Sequence, residues 1–160
     1  MAIAIRPANR NVNQLMFTHR VRSRIGELMS TEVSEVTSQS LRDLRRGLLR
    51  LHKTLLDQET AAYEQARGGV TRGELLQLVI NHEQFAWLHT ISELIVRIDE
   101  MLSAKEPALD VDAQTLLAEA QALLTPSETG DKFQRRYFDV LQSQPDAVLA
   151  HREVMQLFKN

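Results

Sequence analysis

His52 and Glu59 are the residues of this sequence whose placement most invites chemistry. His52 sits among Leu48, Leu49, Leu55 and Leu56 at helical spacing, and Glu59 and Tyr63 follow on the same face. An imidazole and a carboxylate turned into a helical core could work as an acid–base pair or as metal ligands. Seven residues along a helix span about 10 Å, too far for both to hold one ion. The plainer expectation is a core histidine satisfied by a neighbouring side chain, with Glu59 reaching toward the end of the helices.

His82, His89 and Glu93 form a second set. On a continuous helix they share one face, and His89 and Glu93 have the i, i+4 spacing that can hold a metal ion. Dinuclear carboxylate bundles carry Glu-x-x-His on two helices, and this chain has no such motif. With His151 from the last segment, these residues make a metal-binding or redox site the alternative function. Other chemistries find less footing. The chain has no cysteine, which removes disulfides, zinc-thiolate sites and thiol nucleophiles. There is no glycine-rich phosphate loop and no serine nucleophile elbow; Gly68-Gly69 lacks the Lys-Ser/Thr that a P-loop requires.

Charge is spread unevenly. Arg6, Arg10, Arg20, Arg22 and Arg24 precede the first acid, Glu27. Between Asp99 and Asp131 eight acids face Lys105 alone, counting Asp99, Glu100, Glu106, Asp110, Asp112, Glu119, Glu128 and Asp131. The N-terminal arginines suggest nucleic-acid binding as a third function, but no aromatic residues alternate with them for stacking. A net charge of −2 gives no general pull toward nucleic acid or an anionic membrane. No apolar run approaches the ~20 residues of a membrane span, and the cytoplasm is the expected compartment. The early arginines resemble a transit peptide in composition, yet they merge into a helix of the fold.

The elements that must position these residues are helices. The chain has 160 residues, 43% of them hydrophobic and 25% charged, which fits one globular domain. Six glycines and four prolines are too few to punctuate many strands. Residues 1–11 are expected to form an irregular arm and residues 13–30 an amphipathic helix bearing Leu15, Val21, Ile25 and Leu28. Residues 30–40 read equally as a loop or as a frayed helical extension. Ser40, with Asp43 three residues on, predicts a cap for a long helix to about Ala66 that carries Leu41, Leu44, Leu48, Leu51 and Leu55. Gly68-Gly69 ends it, and Thr71 caps one helix running to Ser103. Leu76, Ile80, Trp87, Leu88, Ile91, Leu94, Ile95, Ile98 and Leu102 fall on one side of that helix. Leu78, Phe85 and Val96 fall on the other. Further helices follow from Asp110 or Asp112, around Phe133 to Leu141, and from Pro145.

Leu51-His52-Lys53, Phe85-Ala86-Trp87-Leu88, Ser92-Glu93-Leu94-Ile95-Val96-Arg97-Ile98-Asp99-Glu100 and Gln134-Arg135-Arg136-Tyr137-Phe138 carry a resemblance. Over roughly residues 40–158 the chain is similar to a family of uncharacterised soluble bacterial helical proteins. That resemblance implies a soluble bacterial protein and brings no activity, cofactor or catalytic residue with it.

The sequence therefore predicts a single all-α domain over residues 1–160, a five- or six-helix bundle built on an antiparallel hairpin of residues 40–66 and 71–103. The expected function is a non-enzymatic protein–protein interaction module that uses no cofactor. A helix apolar on two sides, and a first helix without a hairpin partner, point to self-association. Leu15, Ile25, Leu78, Phe85 and Val96 are the expected interface residues.

Overall fold

The long leucine-bearing helix begins six residues earlier than the expected Ser40 cap. Ser34 starts it, its hydroxyl accepting the Thr37 N–H at 3.1 Å. Ser40 lies inside the helix and donates its hydroxyl back to the Val36 carbonyl at 3.0 Å. Val36 and Thr37 thus extend the helical pattern upstream, which settles the open reading of residues 30–40 from residue 35 onward. The computed structural model describes residues 33–105 and 108–159. The expected arm of residues 1–11, the helix of residues 13–30, the early arginines and the interface candidates Leu15 and Ile25 lie outside them.

The described residues are all-helical. Seven α-helices follow in order: α1 Glu35–Arg67, α2 Arg72–Asn81, α3 Glu83–Ala86, α4 His89–Ser103, α5 Asp110–Leu123, α6 Lys132–Ser143 and α7 Pro145–Gln156, with a final 3-10 turn Leu157–Lys159. The count exceeds the five or six expected because the helix predicted over 71–103 is three helices. No described helix is long and apolar enough to cross a membrane.

α1 is the spine. Leu41, Leu44, Leu48, Leu51 and Leu55 are buried along its length, as their 3-4 spacing dictates. Leu49, one of the leucines grouped with His52 in the sequence, is 42% exposed. Gly47 has a packing reason. A Cβ there would stand 3.0 Å from Val154 Cγ2, so the missing side chain lets α7 approach α1. Gly68 ends the helix with φ at 96°, a conformation that suits glycine, and its N–H donates to the Glu64 carbonyl at 2.8 Å.

Three cross-contacts order α4 against α1. Arg45 pairs with Asp99, His52 meets Ser92, and Glu59 meets Trp87 just before α4. Residue numbers rise along one helix as they fall along the other, so α1 and α4 run antiparallel. Ile91, Leu94, Ile95 and Ile98 are buried on the α4 side, as the sequence pattern requires.

The segment before α4 departs from the expectation of one unbroken helix. Thr71 caps α2 through a capping box with Glu74. At His82 the backbone turns extended (φ −91°, ψ 133°), and the imidazole Nδ1 accepts the Gln84 N–H at 3.2 Å. No glycine or proline forces this break. Tertiary bonds outweigh the small helix preference of these residues: Glu59 takes the side chains of Gln84 and Trp87, and the His89 ring bonds the Val79 carbonyl at 2.7 Å. The break also rotates the two faces. Phe85, expected outside, is fully buried; Leu76 and Ile80, expected in the core, are 57% and 54% exposed.

α5 starts at Asp110 and buries Ala113, Leu116 and Ala120. Asp131 caps α6 through a second capping box, with Gln134. Pro145 opens α7 at its first turn, where a missing N–H costs nothing.

Candidate functional site

Glu59 is 4% exposed and lies at the meeting of three elements, α1, the α3 segment and α6. Its leucine neighbours carry it inward, and a buried carboxylate must find donors. Four hydrogen bonds reach this residue. Trp87 Nε1 donates to Oε1 at 3.1 Å, and Arg136 donates to the same oxygen at 2.7 Å. Gln84 Nε2 lies 3.0 Å from Oε2 and 3.0 Å from the Glu59 carbonyl. The Arg136 guanidinium also sits 5.9 Å from the centre of the Trp87 ring, within cation–π range. Glu59 therefore does not reach toward the end of the helices, the plainer of the two expectations, but is turned into the core. It holds an indole, an amide and an arginine in fixed positions.

The aromatic residues extend from this point across α6 to α7. Trp87 and Phe133 have ring centres 5.8 Å apart, Phe133 and Tyr137 stack at 5.5 Å, and Tyr137 meets His151 edge-on at 5.6 Å. The fully buried Tyr137 hydroxyl is bonded to His151 Nδ1 at 2.9 Å, and burial pushes its ionisation well above the ordinary phenol range. A cleft of about 240 Å³ opens beside Glu59, between α1 and α6, with Arg136 and Trp87 on its wall.

The sequence-predicted ligands are not brought together. His52 Nε2 bonds Ser92 Oγ at 3.0 Å, His82 caps α3, His89 bonds Val79, His151 bonds Tyr137, and Glu93 is exposed. Among the described residues no group of three His, Cys, Asp or Glu could hold a metal ion. The face shared by His82, His89 and Glu93 required an unbroken helix, and the extended residue at His82 removes it. Of the expected interface residues, Phe85 is core and Leu78 is half-buried, while Val96 is 52% exposed as expected.

Gln58, Gln84 and Arg136 escaped the sequence reading as site residues. Arg136 lies 77 positions from Glu59, so no periodicity links the two. The available signal was Glu59 itself, an acid on a leucine face that must meet a donor somewhere.

His52 and His151 carry a pH dependence. Burial holds the His52 imidazole below its usual value of 6.5, with the nearby His89 adding to the effect, and burial alone does so for His151. The unfolded chain then binds more protons than the folded one below pH 6.5, so stability rises with pH through this window. It is fully present above the unfolded value and is lost as pH falls toward the folded ones. Thermal melts from pH 7.5 to 5 should show a falling midpoint. The slope should flatten in a His52→Asn, His151→Asn double variant, and an unchanged slope would assign the acid sensitivity elsewhere.

Comparison with protein families, with curated proteins and with solved structures finds no match.

Proposed function

We propose that the chain is a non-enzymatic helical interaction module that pairs with a second copy of itself through α2. The observation that carries this reading is the state of α2. It has Leu75, Leu76, Leu78, Val79 and Ile80 among its ten residues, yet none of its residues is buried. Leu75, Leu78 and Val79 are half-buried against the core, whereas Leu76 and Ile80 stay exposed one turn apart, and that exposed aliphatic pair is a surface for something else.

The character of the face favours a second copy. From Leu75 to Asn81 the sequence is Leu-Leu-Gln-Leu-Val-Ile-Asn, without a charge. In a two-fold contact the same patch lies on both sides, so a charge near the axis would approach its like. Leucine, isoleucine and amides meet themselves without penalty, since an amide both donates and accepts. A shallow groove lined by Tyr63, Val70 and Leu78 runs beside the helix and offers further apolar surface. The bundle arrangement of the seven helices, the bacterial origin that goes with the resemblance, and the cytoplasm as the default compartment belong to the same proposal.

Sedimentation velocity across the micromolar range should show a species of twice 18.2 kDa. Leu76→Glu with Ile80→Glu should leave the fold intact, because both side chains are exposed, and should weaken association by at least about a hundredfold. A chain that stays monomeric on concentration would overturn the reading. So would a dimer indifferent to both substitutions.

A further inference from the structure

We propose that the cleft beside Glu59 is a binding site for a small organic cation bearing a primary ammonium group. The cleft of about 240 Å³ is bounded by the C-terminal half of α1 and by α6, and lies below the ~300–1,000 Å³ of drug-sized ligand pockets, so only a ligand of a few heavy atoms fits it. Its walls combine apolar surface from Leu55, Ala62 and Val140 with polar groups that converge from both helices.

The charge of the ligand follows from the charges of the wall. Glu59 and Arg136 neutralise one another through their 2.7 Å contact. Asp139 remains. No described cation lies within ion-pair distance of it, and it faces the cleft one turn beyond Arg136. The lining thus carries one solvent-exposed carboxylate with no described ion-pair partner, which favours a cation over an anion.

The hydrogen-bonding type follows from Gln58. Its Oε1 is buried with no hydrogen-bond partner in the protein, while Gln58 itself lines the cleft. A buried acceptor left unpaired is costly, and the protein keeps it on the wall of a cleft rather than in the leucine core. Rotation about the terminal side-chain torsion of glutamine is broad and low in cost, which lets the amide oxygen meet a donor placed there. An ammonium group supplies three donors and no acceptor. It answers both the Gln58 carbonyl and the Asp139 carboxylate. Leu55, Val140 and the Trp87 ring would then cover a short alkyl chain.

Trp87 is the only tryptophan and lines the cleft, so its fluorescence reports occupancy directly. Titration of the full chain with butylammonium chloride should change the emission saturably. Sodium butyrate at equal ionic strength and 1-butanol should produce no saturable change. Asp139→Asn, at an exposed position, should weaken butylammonium binding at least about threefold, and Gln58→Leu should weaken it comparably. A linear response to butylammonium, an equal response to butanol, or a butyrate response exceeding it would overturn the assignment. So would unchanged affinity in both variants. These readings do not depend on α2, and the Leu76→Glu, Ile80→Glu variant should bind the cation as the parent does.

Discussion

Replacing Trp87 with alanine should cost about 3–5 kcal/mol of folding stability, a large share of the ~5–15 kcal/mol of an ordinary domain. Three losses add up at this position. Removing the buried indole leaves a void between α1 and α6, where its ring now meets Phe133 at 5.8 Å. The Arg136 guanidinium loses the ring it lies against. Glu59 Oε1 loses the indole N–H. Because Trp87 is the sole tryptophan, unfolding must be followed by circular dichroism rather than emission. Trp87→Phe retains most of the volume and removes the N–H, so it should fall between the parent and the alanine variant. A cost below about 1 kcal/mol for Trp87→Ala would show that the site collapses freely around the gap, contrary to the packing described.

Glu59→Ala should cost about 2–4 kcal/mol, mainly through what it strands. The buried Trp87 N–H would have no acceptor, a penalty of roughly 1–3 kcal/mol on its own. The Gln84 amide would keep only the Glu59 backbone carbonyl. Arg136 would suffer less, since its side chain is half exposed and can turn to water. Arg136→Ala should accordingly cost less than Glu59→Ala, and the double variant less than the sum of the two, because the pair shares one contact. Urea unfolding of the four proteins tests this ordering. Strict additivity would mean that Arg136 and Glu59 act independently, and equal single costs would mean that Arg136 is not relieved by turning to water. Glu59→Ala should also raise hydrogen exchange at the amides of residues 82–88, whose break from helix depends on its bonds.

How far the sequence reaches can be followed along α1. Leu41 to Leu55 recur at a spacing that only a helix turns into one face, and the structure buries all five positions. The stops and starts were equally local. Gly68 ends α1 with a positive φ, Thr71 caps α2 by bonds reaching three residues, and Pro145 opens the last helix, whereas the equally local caps at Ser34 and Asp131 were not expected. Each is an interaction within one or two turns, so the residue types alone carry it.

The break between residues 82 and 88 belongs to the tertiary structure. Locally His82, Glu83, Gln84, Phe85, Ala86, Trp87 and Leu88 contain nothing that stops a helix, and their periodicity runs through. What stops it is a carboxylate at position 59, brought beside them by α1, together with the burial of Phe85 and Trp87 against helices distant in the chain. Once the helix is broken the apolar pattern is re-phased, which is why Leu76 and Ile80 reach solvent and Phe85 does not. The same cause hid the candidate site. Glu59, Gln84, Trp87 and Arg136 are joined across separations of 25, 28 and 77 residues. Helical propensity differs among ordinary residues by only tenths of a kcal/mol, whereas stranding one buried polar group costs more than that. Local preference therefore determined the helices where nothing opposed it, and satisfaction of a buried charge decided where one of them had to break.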